Sequence, residues 1–184
     1  MIVGVGGQGT LLASRILGNL LTDMGYDVKV SEVHGMSQRG GSVITYVKYG
    51  DRVYSPIIDK GEADTILAFE LLEAYRALSF LRKGGKLIVN SQKIDPMPVI
   101  TGAASYPTDI LTTLAAKGAF VDSFDALAVA EQAGSTRAVN IALMGRLAKY
   151  LNIPYEKWIL AIKNTVAPKF VAINETAFRL GYEA

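Results

Sequence analysis

The first ten residues of the chain are Met1-Ile-Val-Gly-Val-Gly-Gly-Gln-Gly-Thr10. Residues 1–5 are almost entirely apolar and predict a short buried strand. Gly4, Gly6 and Gly9 follow a G-x-G-x-x-G spacing that leads directly into a helical pattern. Such a turn leaves backbone N–H groups open at the positive end of a helix dipole, where an anion is favoured. A glycine turn can equally serve only to pack a helix on a sheet, so the spacing leaves both roles open.

The composition describes an ordinary globular protein. The 184 residues are 50% hydrophobic and 20% charged, with a net charge of +2, which does not call for nucleic acid or a membrane as partner. No apolar run approaches the roughly 20 residues of a membrane span. No basic-then-apolar leader precedes the first strand, so we expect a cytoplasmic protein. Cysteine is absent, which excludes disulfides, a thiolate nucleophile and an iron–sulfur cluster held by cysteines of this chain.

Strand-like and helix-like segments alternate along the chain. This order predicts an α/β fold, a Rossmann-like three-layer sandwich with a mostly parallel sheet, one antiparallel hairpin and a helical C-terminal third. The predicted strands are residues 1–5, 27–33, 42–49, 63–69, 86–90 and 119–123. Helices are predicted at 10–24, 70–81, 107–117, 126–134, 138–151, 155–166 and 169–180. We expect one domain over residues 1–184, with the helices from about residue 125 packed on it.

Two glycine-containing segments predict local chain reversals. Gly50-Asp51 has the composition of a two-residue hairpin turn, and residues 52–55 are its expected return strand. Lys83-Gly84-Gly85 is expected to end the helix predicted over residues 70–81.

A second glycine-rich stretch, Glu32-Val-His-Gly-Met-Ser-Gln-Arg-Gly-Gly41, follows the second predicted strand. The first two strands of a doubly wound sheet end side by side, so this loop is expected to face the glycine turn across a ligand crevice. The planar charge of Arg39 suits a carboxylate or phosphate, and Gly35, Gly40 and Gly41 leave the backbone open. The two stretches predict a site for a phosphate-bearing anion. Alternatively, Arg39 pairs with a carboxylate of the chain and the glycines only shape a bend.

The other candidate side chains are less specific. A dinucleotide site would need Glu32 to hold the ribose, although this residue comes somewhat late after the glycines. His34, the single histidine, has no nucleophile beside it and is interpreted as a loop hydrogen-bonding or ligand-contact residue; no metal site is predicted. Glu70 and Glu73 could face the crevice or serve only the dipole of their helix. Residues 90–93 could supply polar ligand contacts or form a simple loop.

Both glycine-rich stretches, at this spacing, resemble the gamma-type component of 2-oxoacid:ferredoxin oxidoreductases, and within that family the beta subunits of indolepyruvate ferredoxin oxidoreductases. The residues that correspond to the family's glycine-rich turn are Gly4, Gly6, Gly7, Gln8 and Gly9. Those that correspond to its Arg-Gly-Gly loop are Gly35, Arg39, Gly40 and Gly41. The resemblance implies cofactor-binding roles for these residues, next to a phosphate or against a partner. No catalytic residue is assigned.

The resemblance also implies a division of labour between subunits. Enzymes of this family oxidatively decarboxylate a 2-oxoacid with coenzyme A, use thiamine diphosphate and iron–sulfur clusters, and pass electrons to ferredoxin. Gly50-Asp51 continues with Arg52 instead of the glycine that opens the usual thiamine–magnesium motif. Thiamine diphosphate, Mg and the clusters are therefore expected on a cysteine-rich, thiamine-binding partner, which also contacts ferredoxin, with coenzyme A as cosubstrate.

Three hypotheses remain open from the sequence. The first is a supporting subunit for indolepyruvate or aryl pyruvate oxidation, inactive alone and able to form a homodimer when isolated. The second is a free-standing nicotinamide- or flavin-dependent oxidoreductase in which Glu32 reaches a ribose. The third is a nucleotide-sensing or purely structural module.

Overall fold

The computed structural model describes residues 1–35 and 40–184. The strands are β1 (Ile2–Val5), β2 (Asp27–His34), β3 (Ser42–Gly50), β4 (Ala63–Ala68), β5 (Leu81–Asn90) and β6 (Phe120–Phe124). The helices are α1 (Thr10–Asp23), α2 (Leu71–Ala77), α3 (Met97–Ile100), α4 (Ile110–Ala116), α5 (Ala126–Gln132), α6 (Val139–Ala148), α7 (Tyr155–Thr165) and α8 (Val171–Glu183). Single 3-10 turns occur at Leu78–Phe80, Thr136–Ala138 and Pro168–Phe170.

The strands form one sheet in the order β2-β3-β1-β4-β5-β6. β1, β4, β5 and β6 are parallel to their neighbours within this group, whereas β3 is antiparallel to both β1 and β2. The predicted α/β class with a mostly parallel sheet is therefore confirmed.

The antiparallel pairing lies elsewhere than the sequence predicts. β3 forms its antiparallel hairpin with the preceding strand, β2, from Asp27 opposite Gly50 to His34 opposite Val43. Residues 52–55 form no strand. The reason is a side-chain contact: the N–H of Val53 donates to Oδ2 of Asp27 at 2.8 Å, and Val53 is buried. The chain after Gly50 is thus folded onto the end of the hairpin instead of extending it.

The insertion of β3 also corrects the expected strand neighbours. The first two strands of the chain are not side by side, because β3 lies between β2 and β1. The loop before β3 still reaches the glycine turn, since Ser42 at the start of β3 pairs with Val5 at the end of β1.

Side chains of the central strands point alternately into two hydrophobic cores, one on each face of the sheet. Ile2, Leu67 and Ile88 point into the core formed with α1 and α5–α8. Val3 and Leu87, on the opposite face, belong to the core formed with α2 and α4. The sheet is therefore the middle of three layers, as predicted, and the C-terminal helices pack on the same face as α1.

The helix after β4 is shorter than predicted. α2 ends at Ala77, a 3-10 turn follows, and residues 83–85 lie within β5. The pairing of β4 with β5 shifts register between Ala63 opposite Leu81 and Thr65 opposite Lys86. Gly84, with φ of +75°, therefore shapes a bulge in a strand and does not end a helix.

Within residues 1–35 and 40–184, none of the helices combines the length and apolar character that crossing a membrane would require.

Candidate functional site

The candidate site lies where the parallel strands end. Helix α1 leaves β1 over one face of the sheet, and α2 leaves β4 over the other. In a doubly wound sheet the crevice between two such strands, outside their carboxyl ends, is where ligands bind. The glycine turn after Val5, the segment after Ala68 and the segment after Asn90 all lie at this edge.

The surroundings of the glycines in the turn differ from one position to the next. A Cβ on Gly4 would lie 3.0 Å from Cβ of Phe69, and one on Gly9 would lie 2.7 Å from Nδ2 of Asn140. Both positions are therefore filled by the protein's own packing, and Gly9 has a φ of +86° besides. A Cβ on Gly7, whose φ is +101°, would have none of the described atoms within 4 Å. Among the described residues, the backbone at exposed Gly7 is therefore free of close packing.

The two glycine-rich stretches meet through one backbone hydrogen bond. The N–H of Gly6 donates to the carbonyl of Gly41 at 2.9 Å. Gly40 has a φ of +75°, in the left-handed region that favours glycine. The predicted juxtaposition of the turn and the loop is confirmed for these residues, whereas Arg39 lies outside the described residues.

Three amide side chains form a cluster, the amide cluster, at the base of the crevice. Gln8 donates from Nε2 to the carbonyl of Phe69 at 3.0 Å and to Oε1 of Gln92 at 3.3 Å. Asn90 donates to the same two acceptors at 3.1 and 3.3 Å. The carbonyl Oδ1 of Asn90 accepts from the N–H of Ala126 at 3.1 Å. The amide cluster therefore ties the glycine turn to the ends of β4 and β5.

Glu70 and Glu73 are both buried, and their contacts decide between the two roles left open. Oε2 of Glu70 caps α2 by accepting from the N–H of Glu73 at 3.0 Å, while Oε1 accepts from the N–H of Ile94 at 3.0 Å. Tyr106 donates its hydroxyl to the same Oε1. Burial, followed by this hydrogen bond, raises the pKa of Tyr106. Glu70 thus caps its helix and fixes both ends of the segment 94–106.

Glu73 connects α2 to the start of β3. Its Oε2 accepts from Oγ of Ser42 at 2.5 Å, and its Oε1 accepts from Arg76 at 2.6 Å. Since Ser42 directly follows Gly41, this contact also supports the junction between the loop and the glycine turn.

Glu32 does not take the position of a ribose-binding residue, and His34 makes a local backbone contact in its loop. Oε2 of Glu32 accepts from Oγ1 of Thr45 at 3.3 Å, and β3 separates Glu32 from β1. His34 is exposed, and its Nδ1 lies 3.0 Å from the carbonyl of Gly35. In a dinucleotide site the ribose is held by a residue at the end of the strand next to β1. Glu32 lies on β2, which is not next to β1, so Glu32 does not occupy that position.

Four residues at this edge were missed by sequence reasoning, or named only as part of a loop: Ser42, Gln92, Tyr106 and Asn140. Each contributes through a contact with a residue at least 30 positions away, apart from the short contact between Gln92 and Asn90. Only the carboxyl end of the predicted strand at 86–90 hinted at Gln92.

The side chains described at this edge make hydrogen bonds that position the glycine turn, the ends of β4 and β5 and the segment after β5. In the described part of the chain, no group of three or more His, Asp or Glu residues is placed to hold a metal ion. Because the chain has no cysteine, its residues do not fit an iron–sulfur cluster held by thiolates. Among the described residues, this edge presents the exposed backbone of Gly7 beside Gly6, whose N–H is hydrogen-bonded to the carbonyl of Gly41.

The topology and the glycine turn define a doubly wound α/β protein with a crevice at the switch between β1 and β4, altered by the inserted strand β3. The chain belongs to the pyruvate ferredoxin/flavodoxin oxidoreductase family, whose model matches residues 1–184. The family resemblance carried by the two glycine-rich stretches is therefore confirmed.

Individual relatives agree with this assignment. The chain is 42% identical to indolepyruvate oxidoreductase subunit IorB of Thermococcus kodakarensis, over 100% of this chain and 94% of the relative. It shares its fold with the gamma subunit of a keto/oxoacid ferredoxin oxidoreductase from Geobacter sulfurreducens, with a TM-score of 0.73 and 23% identity over 99% and 94% of the two chains. A 2-oxoglutarate:ferredoxin oxidoreductase from Magnetococcus marinus, solved with 2-oxoglutarate, coenzyme A and succinyl-CoA bound, has a TM-score of 0.66 and 17% identity over 99% of this chain and 30% of that one.

Proposed function

We propose that this chain is the non-cluster subunit of a thiamine diphosphate-dependent 2-oxoacid ferredoxin oxidoreductase that converts indolepyruvate or another aryl pyruvate to its acyl-CoA. The observation that supports this best is the hydrogen bond between Gly6 and Gly41. It joins two family motifs into one surface at an edge whose described residues include no catalytic set. The name of the Thermococcus relative supports the choice of 2-oxoacid.

The proposed task of the joined surface is to complete the active site or the coenzyme A region of the partner. Gly6 and Gly7, with Gly35, Gly40 and Gly41, would bring backbone close to the partner or to a phosphate. Arg39 would supply the positive charge that binds a phosphate or carboxylate. The Magnetococcus 2-oxoglutarate:ferredoxin oxidoreductase, one part of which shares this fold, was solved with coenzyme A bound, which supports coenzyme A as the cosubstrate.

The partner in this proposal is a cysteine-rich, thiamine-binding chain that carries the clusters and contacts ferredoxin. Such clusters need thiolate ligands, and this chain has no cysteine. The subunit would be inactive alone, act as a single domain of residues 1–184 and work in the cytoplasm.

Co-expression with the candidate partner tests the proposal. We expect coenzyme A-dependent reduction of ferredoxin or a viologen dye, driven best by indolepyruvate in a panel that includes pyruvate and 2-oxoglutarate. Activity should require both chains and should fall at least about 10-fold in Arg39→Ala, because a charge-assisted contact is lost. Arg52→Ala is the matched control, since Arg52 follows the end of β3 at the opposite edge of the sheet and stacks on Tyr54.

The two variants separate a site effect from a general effect of lost charge. Arg52→Ala should keep wild-type activity, and both variants should co-purify with the partner. Tight binding of a nicotinamide or flavin nucleotide by this chain alone, with no complex and no activity, would refute the subunit proposal.

A further inference from the structure

The hydrogen-bond ladder between β1 and β4 stops abruptly at the candidate site. The N–H of Leu67 donates to the carbonyl of Met1, and the N–H of Phe69 to the carbonyl of Val3, both at 2.9 Å. In a regular parallel ladder the next bond would run from the N–H of Val5 to the carbonyl of Phe69.

The side chain of Gln8 occupies the place of that missing bond. The N–H of Val5 donates to Oε1 of Gln8 at 2.7 Å, and Nε2 of Gln8 donates to the carbonyl of Phe69 at 3.0 Å. The carboxamide therefore stands between the two strands as an inserted peptide group would, with its acceptor towards β1 and its donor towards β4.

We propose that Gln8 is a positioning residue that holds the carboxyl ends of β1 and β4 apart by the width of one amide. This wedge opens the crevice and sets the conformation of the glycine turn, from which Gly6 reaches Gly41 and Gly7 faces outward. The inference deepens the proposed function, because it rests on the turn being part of the shared site.

The contacts explain why the position needs glutamine. Oε1 must accept from Val5, while Nε2 must donate to Phe69 and also faces Oε1 of Gln92 at 3.3 Å. A glutamate of the same shape would direct a carboxylate oxygen at two acceptors. An asparagine is shorter by one methylene and could not span the gap. With its hydrogen bonds made inside the chain, Gln8 acts on the site through the turn.

A pair of amide-to-carboxylate substitutions in the full chain tests the wedge. Gln8→Glu should lower the folding equilibrium constant by about 10-fold or more, because a partly buried hydrogen bond to the carbonyl of Phe69 becomes acceptor against acceptor. Gln92→Glu is the matched control: Oε1 of Gln92 only accepts, from Gln8 and from Asn90, so a carboxylate keeps both bonds. Urea unfolding of the three proteins measures the difference. Equal stability of Gln8→Glu and wild type would overturn the proposal.

Amide hydrogen exchange of Gln8→Ala gives a local measurement. Val5 is buried, so its N–H should be strongly protected in the wild type and should exchange at least about 10-fold faster without its acceptor. The N–H of Leu67, in the regular part of the ladder, should keep its protection. Unchanged protection of Val5, or equal loss at Val5 and Leu67, would overturn the wedge.

Kinetics of the reconstituted complex separate positioning from a loss of fold. At a temperature at which Gln8→Ala remains assembled, we expect the KM for coenzyme A to rise about 5-fold or more with kcat within about 2-fold. A wild-type KM together with fast exchange at Val5 would overturn the positioning role. A wild-type complex without coenzyme A-dependent activity would instead overturn the proposed function and leave the exchange result standing.

Discussion

The contact between helices α6 and α8 makes a strong prediction about Gly145. A Cβ at this position would lie 2.1 Å from the carbonyl oxygen of Phe178 and 2.8 Å from the N–H nitrogen of Tyr182. Both atoms belong to the backbone of α8, so no rotamer change can relieve the contact. Gly145→Ala therefore forces the two helices apart by about 1 Å, since Cβ atoms do not approach other atoms closer than about 3 Å.

The cost follows from the side chains that this displacement loosens. Met144, Trp158 and Phe178 are fully buried in the same core, and each contributes about 1.5–3 kcal/mol of burial. A gap of this size forfeits about a quarter to a half of the contact energy, which gives a loss of about 1–4 kcal/mol. Alanine regains about 1 kcal/mol of helix propensity. We expect a net destabilisation of about 1.5 kcal/mol, or about 3–6 °C in Tm.

Gly18→Ala is the matched control, because Gly18 also lies inside a helix, α1. A Cβ there would meet its nearest atom, Cγ2 of Val30, at 3.6 Å, an ordinary contact. This variant should be stabilised by about 0.5–1 kcal/mol. Thermal and urea unfolding measure the difference in stability between Gly145→Ala and Gly18→Ala. The gain in helix propensity is the same in both variants and cancels from this difference. If Gly145→Ala were as stable as the wild type, the close helix contact would be wrong.

Three further predictions concern polar contacts. Asp122 receives two hydrogen bonds from Arg146, at 2.6 and 2.7 Å, so Asp122→Asn should cost about 3 kcal/mol in urea unfolding by leaving a mostly buried guanidinium unpaired. Burial opposes the ionisation of Asp122, but the hydrogen bonds from Arg146 and Tyr150 outweigh it and lower its pKa below the usual 3.8. The stabilisation is therefore present above about pH 4 and lost as pH falls through the lowered pKa, so the difference between wild type and Asp122→Asn should shrink in acid. Glu70→Gln should cost about 1–3 kcal/mol in urea unfolding, because an NH2 group replaces one of two oxygens that accept hydrogen bonds; limited proteolysis should then cleave within residues 94–106 faster than in the wild type.

The alternating pattern of strands and helices was predictable because it depends on local periodicity. The apolar spacing of α1 and its end near Gly25, which has a φ of +90°, follow from residues close in sequence. The hairpin was misplaced because Gly50-Asp51 has the local composition of a turn, whereas Asp27 binds Val53 across more than 20 residues. Local rules contain no information about that contact.

The candidate site divides in the same way. The glycine turn and the Arg-Gly-Gly loop were recognisable as motifs, and their proximity through Gly6 and Gly41 was predicted correctly, although by way of a strand neighbour that proved wrong. The amide cluster and the contacts of Glu70 could not be predicted, because amides and carboxylates bind whatever the fold brings near them. A glutamine has no preferred sequence partner.

By itself, the sequence determined the class of fold, the family and the absence of cysteine ligands, since each depends on residue identity or on short-range spacing. The tertiary structure decided the order of the strands, the contacts of Gln8 and the surroundings of the glycines in the turn. Gly4 and Gly9 fit against Phe69 and Asn140, while a Cβ on Gly7 would meet no atom of the described residues within 4 Å. The physical reason is that hydrogen bonds and close contacts join atoms near in space, and the neighbours of these residues lie up to 131 positions away in the chain.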